Sequence, residues 1–180
     1  MNSKVYIGCD PGLSGCMLAI DQDKNIISFR DIEKIGDRIN VESIVAWLKQ
    51  FPIDNTLICC ENPHIHAGDN IKTCYAAFCY GRSVATVQTI PVVLGYNTIL
   101  ITPIAWKSYH GLIDAKIKYE EKKAMSVEMA ETIFKSEIFK EDKKQGKVTR
   151  TILHHDRAEA ALVALYLLET HITNTNVNNN

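Results

Sequence analysis

Long apolar runs are missing from this sequence of 180 residues. No stretch approaches the ~20 residues that a membrane span needs, and no basic segment followed by an apolar one marks a secretory leader. Cysteine is present but not in framework patterns. The six are Cys9, Cys16, Cys59, Cys60, Cys74 and Cys79, none spaced as C-x-x-C and none beyond residue 79. That speaks against a structural zinc site and a disulfide framework, and a reducing compartment fits. An excess of one charge is missing too. Lys and Arg number 20, Asp and Glu 21, and the formal net charge is −1. This argues against a histone-like, wholly basic surface. It leaves room for a nucleic-acid enzyme, because carboxylates in a metal site cancel lysines elsewhere. The expectation is a soluble protein with no membrane partner, working in a bacterial cytoplasm, in a host cytoplasm if viral, or in an organelle if a transit peptide has been removed.

What is there is enough apolar material, 46%, to fill one core. Residues 4–9 read as a buried strand. Gly12 and Gly15 mark a tight turn, and 16–20 and 26–30 read as two further strands, so the chain opens as an antiparallel meander. The period then changes. Val41, Ile44, Val45 and Leu48 fall at helical spacing behind Asn40 as N-cap. Residues 56–60 are a continuous apolar run, as a central strand requires. Helix is expected over 71–90, strand over 98–101, a short helix from Pro103 and a longer one over 119–135. Residues 140–151 read as a lysine-rich loop, and a last helix as running from Asp156 to Thr170. The expectation is one mixed-sheet α/β domain over 1–172, with helices on both faces, and a disordered, asparagine-rich tail over 173–180. No internal repeat and no linker divides the chain.

Acidic residues end both central strands. Asp10 follows the first and precedes Pro11-Gly12, a sequence that also suits a plain turn. Glu61 ends the run Leu57 to Cys60, where a carboxylate is costly unless solvated, paired or bound to metal. Further on, Asp156 and Glu159 are three apart and share a helix face. Asp156 also reads as a capping acid. Glu159 runs straight into Ala160-Ala161-Leu162-Val163-Ala164-Leu165, so its helix should pack deep into the core. Four carboxylates from two strand ends and one helix suit two hard divalent ions, Mg2+ with Mn2+ as a substitute, and phosphodiester hydrolysis.

Gly8-Cys9-Asp10-Pro11-Gly12, then Glu61 after an apolar strand, then Asp156-x-x-Glu159-Ala on an alanine-rich helix, resembles the RuvC family of Holliday junction resolvases. The likeness spans about residues 4–170. Pro103-x-x-Trp106-Lys107, Lys122-Lys123 and Arg157-Ala158-Glu159-Ala160 look closer to its phage-type and organellar members. The resemblance implies an RNase H-like fold, a homodimer matched to the two symmetric strands of a four-way junction, and Asp10, Glu61 and Glu159 as metal ligands. It puts the fourth ligand at Asp156, with His155 as the alternative. Carboxylate is the better magnesium ligand. Glu159 departs from the aspartate of many bacterial members and lengthens that ligand by one methylene.

Basic and aromatic groups carry two readings each. Lys107, Lys116, Lys118, Lys122 and Lys123 form either a solvated face opposite Glu120 and Glu121 or a phosphate-contacting rim. The resemblance favours Lys107 and Lys123. Arg82 contacts phosphate or pairs with an internal acid. His64 and His66, just after the Glu61 strand, are loop histidines or stack on bases at a branch point. The best reading is a DNA endonuclease that resolves four-way junctions by paired nicks. Its competitors are a nuclease of the same fold acting on RNA or other branched DNA, and an inactive binding module. An actin-like kinase needs two related domains, which 180 residues do not supply.

Overall fold

In the computed structural model the described residues are 3–63, 73–113, 119–145 and 148–177. The elements run β1 (Val5–Asp10), β2 (Cys16–Ile20), β3 (Ile26–Asp31), β4 (Lys34–Ile35), β5 (Arg38–Ile39), α1 (Val41–Leu48), β6 (Thr56–Glu61), α2 (Cys74–Val93), β7 (Asn97–Ile101), α3 (Pro103–Tyr109), α4 (Tyr119–Phe134), β8 (Lys140–Gln145), β9 (Val148–Leu153) and α5 (His155–Val177). Five strands make the main sheet, in the order β3-β2-β1-β6-β7. The meander β1-β2-β3 is antiparallel, whereas β6 lies parallel to β1 and β7 parallel to β6. The mixed sheet is therefore the one expected.

Local chemistry starts the helices where the sequence marks them. Asn40 accepts from the Ser43 N–H at 3.2 Å, and Thr73 and Thr102 cap α2 and α3 in the same way. Thr102 is followed by Pro103, whose missing N–H is harmless in a first turn. Alternation along the strands then separates two cores. Ile7, Cys9, Met17, Ala19, Ile58 and Cys60 pack with Ile44, Trp47 and Val87 of α1 and α2. Tyr6, Cys16, Leu18, Ile20 and Cys59 pack with Trp106, Val127 and the alanine-rich stretch of α5. Helices thus cover both faces, and the four buried cysteines behave as small apolar side chains.

Three expectations are corrected. The lysine-rich loop over 140–151 is the hairpin β8–β9, paired from Lys140↔Leu153 to Gln145↔Val148. Its charged residues have poor strand propensity, and cross-strand pairing overrides it. A small hairpin, β4–β5, lies where no element was expected. The polar tail from Thr173 is helical as far as Val177. The Thr170 and Thr173 hydroxyls donate to the carbonyls of Tyr166 and Glu169, one turn back, which satisfies them within the helix.

One contact sets the depth of α5. A Cβ placed on Gly8, in the middle of β1, would lie 2.0 Å from the Ala160 carbonyl oxygen and 2.3 Å from the Ala164 nitrogen. Backbone meets backbone there, and only glycine against alanines permits it. Gly8→Ala must push α5 off the sheet. Overpacking of this kind costs roughly 1–3 kcal/mol, and the expected result is a lower denaturation midpoint. A variant as stable as the parent would show that α5 yields without loss.

Candidate metal-binding active site

Register brings the strand-end carboxylates side by side. Cys9 of β1 is level with Cys60 of β6, so Asp10 and Glu61 follow at neighbouring strand ends. Both point to the α5 side of the sheet, as Tyr6 and Cys59 do. Asp156 and Glu159 come from the first turns of α5. A cavity of about 620 Å³ is lined by all four acids together with His155, Lys107, Lys122 and Lys123. Gly12, Leu13, Ser14, Tyr80, Pro103, Leu112 and Ser126 complete its wall.

Asp10 feels the other three acids. Burial raises its carboxyl well above the ordinary 3.8, and the charges of Glu61, Glu159 and Asp156 add to this, against a weak contact from the Gly12 N–H at 3.4 Å. Glu61 is buried at 7% exposure. Burial raises its carboxyl too, while the Lys107 charge and a 3.0 Å hydrogen bond donated by the Trp106 indole lower it again. Gln88 donates to the Glu61 carbonyl at 2.8 Å and steadies that strand end. Lys107 Nζ lies 3.3 Å from the Glu159 carboxylate. Sequence placed this lysine on the phosphate rim, and the structure engages it inside the cavity as a counter-charge.

Negative charge nonetheless exceeds positive charge around Asp10. Among the described residues no three His, Cys, Asp or Glu side chains are drawn together tightly enough to close on one ion. They surround the cavity instead and act on one another through charge. An all-oxygen set with uncompensated repulsion is what a hard divalent cation relieves. Both candidates for the fourth position line the cavity. His155 Nε2 lies 3.1 Å from Asp156 Oδ1, and the Asp156 charge adds the smallest share to the rise of Asp10, after burial, Glu61 and Glu159.

Other expected residues fall elsewhere. Arg82 does not line this cavity. Its guanidinium donates to the carbonyl and the exposed carboxylate of Asp37 at 2.8 and 3.0 Å, so it has an acid partner within the chain. His64, His66, Lys116 and Lys118 lie outside the described residues.

Two residues that the resemblance named without a role contribute to the site. Trp106 reads as an ordinary core aromatic until its N–H is found on Glu61. Arg157 lies between Asp156 and Glu159 but points the other way. It donates from Nε to Asp31 Oδ1 at 2.8 Å, from Nη2 to Asp31 Oδ2, and from Nη1 to the Ile138 carbonyl at 3.0 Å. The guanidinium carbon sits 4.5 Å from the Phe29 ring centroid. This fork ties the start of α5 to the end of β3.

No family model and no curated protein matches the chain. Solved structures do. A Thermus thermophilus RuvC structure described as being in complex with Holliday junction substrate superposes with a TM-score of 0.55 and 12% identity, over 93% of this chain and 96% of that one. A second Thermus thermophilus RuvC structure gives 0.54 and 14%, over 94% and 96%. The chain shares the RNase H-like fold of these structures across nearly its whole length.

Two expected outcomes follow from the charges. A carboxyl raised in the folded state holds its proton more tightly folded than unfolded. Stability therefore falls as pH climbs from the ordinary aspartate value towards the raised one, and the deficit persists at neutral pH. Asp10→Asn should raise the melting temperature in chelator at pH 7 by a few degrees, where roughly 1 kcal/mol moves a domain of this size by 2–4 °C. Magnesium should stabilise the parent and not the variant. A parent unaffected by magnesium would remove the metal from the site. Arg157→Ala should cost about 1.5–3 kcal/mol, the worth of a charged hydrogen-bonded group. Denaturant unfolding measures it, and no change would show that the fork is incidental.

Proposed function

We propose that the chain is a magnesium-dependent endonuclease that cuts branched DNA, with the four-way junction as preferred substrate and a homodimer as the working form. The observation that carries this is the convergence of Asp10, Glu61, Asp156 and Glu159 on one cavity whose wall also holds Lys107, Lys122 and Lys123. The fold supports it, since one of the similar structures is described as a complex with Holliday junction substrate. A homodimer follows from the substrate, because a four-way junction offers two equivalent strands and a two-fold assembly presents two cavities.

In this reading Asp10, Glu61, Asp156 and Glu159 hold the ions. Two bound divalent ions supply an activated water and stabilise the leaving 3′-oxygen of the cleaved phosphodiester. The chain's own groups do the rest. Trp106 holds Glu61 in one orientation. Lys107 offsets part of the charge on Glu159 and Glu61. Lys122 and Lys123 stand on the α4 side of the cavity, where a phosphate backbone entering it would meet them. His155 flanks Asp156 and can hold a proton beside it.

The test is cleavage of a synthetic four-way junction and a linear duplex by the purified protein. Paired, symmetric nicks in the junction are expected in magnesium and in manganese, with none in chelator. Asp10→Asn should abolish them and leave junction binding intact. Preferential cutting of the linear duplex or of an RNA strand would overturn the substrate. Near-normal cleavage by the variant would take Asp10 out of the machinery.

A further inference from the structure

The hairpin β8–β9 stands apart from the five-stranded sheet and pairs only with itself. Two strands alone are marginal in water, and this pair is held at its base. The His154 N–H donates to the Phe139 carbonyl at 2.8 Å, and Lys140 pairs with Glu131 of α4. The second strand runs directly into His154, His155 and Asp156, so the ribbon and the carboxylate cavity share one hinge point in the chain.

Charge is concentrated on this ribbon. Residues 140–153 contain five basic side chains (Lys140, Lys143, Lys144, Lys147 and Arg150) against two acidic ones (Glu141 and Asp142), in a chain whose formal net charge is −1. Register sharpens the point. Lys143 is directly opposite Arg150, so the two share a face, and both are exposed. Like charges facing one another across a ladder are destabilising unless an anion lies between them. Two acids lie nearby, and one of them, Glu141, offsets part of the Lys143 charge. Asp142 accepts from the Thr151 hydroxyl at 2.7 Å on the other face. Glu141 lies 3.6 Å from Lys143 and 3.4 Å from His154.

We propose that the face of β8–β9 bearing Lys143 and Arg150 is a second DNA-contact surface, which grips the phosphates of a duplex arm next to the strand that is cut. This rests on the reading of the chain as a nuclease for branched DNA. A two-stranded ribbon has the width of a DNA groove. Lysine and arginine facing outward as a pair supply charge to the backbone without reading sequence. A single residue, His154, links the ribbon to α5, so an arm held there lies close in the chain to the carboxylates.

The experiment uses the full chain with Lys143→Ala and Arg150→Ala combined. Binding to a four-way junction and to a linear duplex is measured across a salt series in an Asp10→Asn background, and cleavage at saturating enzyme in the otherwise unaltered chain. Loss of two phosphate contacts should flatten the plot of log affinity against log salt by about 1.8 units. Affinity at low salt should fall roughly tenfold, while the cleavage rate at saturation is unchanged. A Lys143→Gln, Arg150→Gln pair keeps the stems and must give the same result if the alanine pair unfolds the hairpin. Unchanged affinity and slope would overturn the proposal and make the lysines a guard against edge-to-edge pairing. So would an effect confined to RNA duplex. An unaltered chain that cuts no branched DNA, yet loses duplex-DNA affinity on this substitution, would overturn the nuclease reading and leave the surface standing.

Discussion

The cavity depends on one short distance, that between the backbone of β1 at Gly8 and the backbone of α5 at Ala160 and Ala164. A side chain at Gly8 would lift the helix and withdraw Glu159 and Asp156 from Asp10. Ala158, Ala160, Ala161 and Ala164 are fully buried, so α5 presents its smallest side chains to the sheet along its approach. The acids are therefore not brought together by attraction to one another. They are forced together by packing, because the apolar burial of α5 on both the strands and α4 outweighs their mutual repulsion.

That repulsion is only partly offset within the chain. Lys107 and the Trp106 indole serve Glu61 and Glu159, both from the short helix α3. Asp10 has little beyond the Gly12 N–H. The arrangement trades stability for a site that attracts cations, a common cost where activity needs buried charge. It also explains why a lysine read from sequence as a DNA contact is found among carboxylates. Lys107 sits within reach of Glu159 and its charge acts on Glu61.

The start of α5 is held from two further sides. Arg157 ties it to the edge strand β3 through Asp31, and the hairpin β8–β9 delivers the chain to it through His154. Asp156 thus lies between two anchors, and its direction is set by elements distant from it in sequence. On the opposite face of the sheet, Arg82 serves a different purpose. It binds Asp37 and joins α2 to the small hairpin β4–β5. Among the described residues, the basic side chains that line the cavity come from α3 and α4.

Sequence by itself determined the order of the five main strands and the helices among them, the burial of β1 and β6, the cap on α1, the start of α3 at Pro103, and the candidacy of Asp10, Glu61, Asp156 and Glu159. These follow from local chemistry: apolar period, capping side chains, and acids where a buried strand must end. It did not determine the hairpin over Lys140–Leu153, whose residues favour solvent individually and form strands only as a pair. Nor did it separate Lys107 from Arg82, since both are single cations on helices near the site. Tertiary structure decided that Lys107 meets Glu159, that Arg82 meets Asp37, and that Trp106 donates to Glu61. The physical reason is common to all three. A charge or a donor takes its role from the partner that packing sets within a few ångströms, and that partner lies 45 to 52 positions away along the chain.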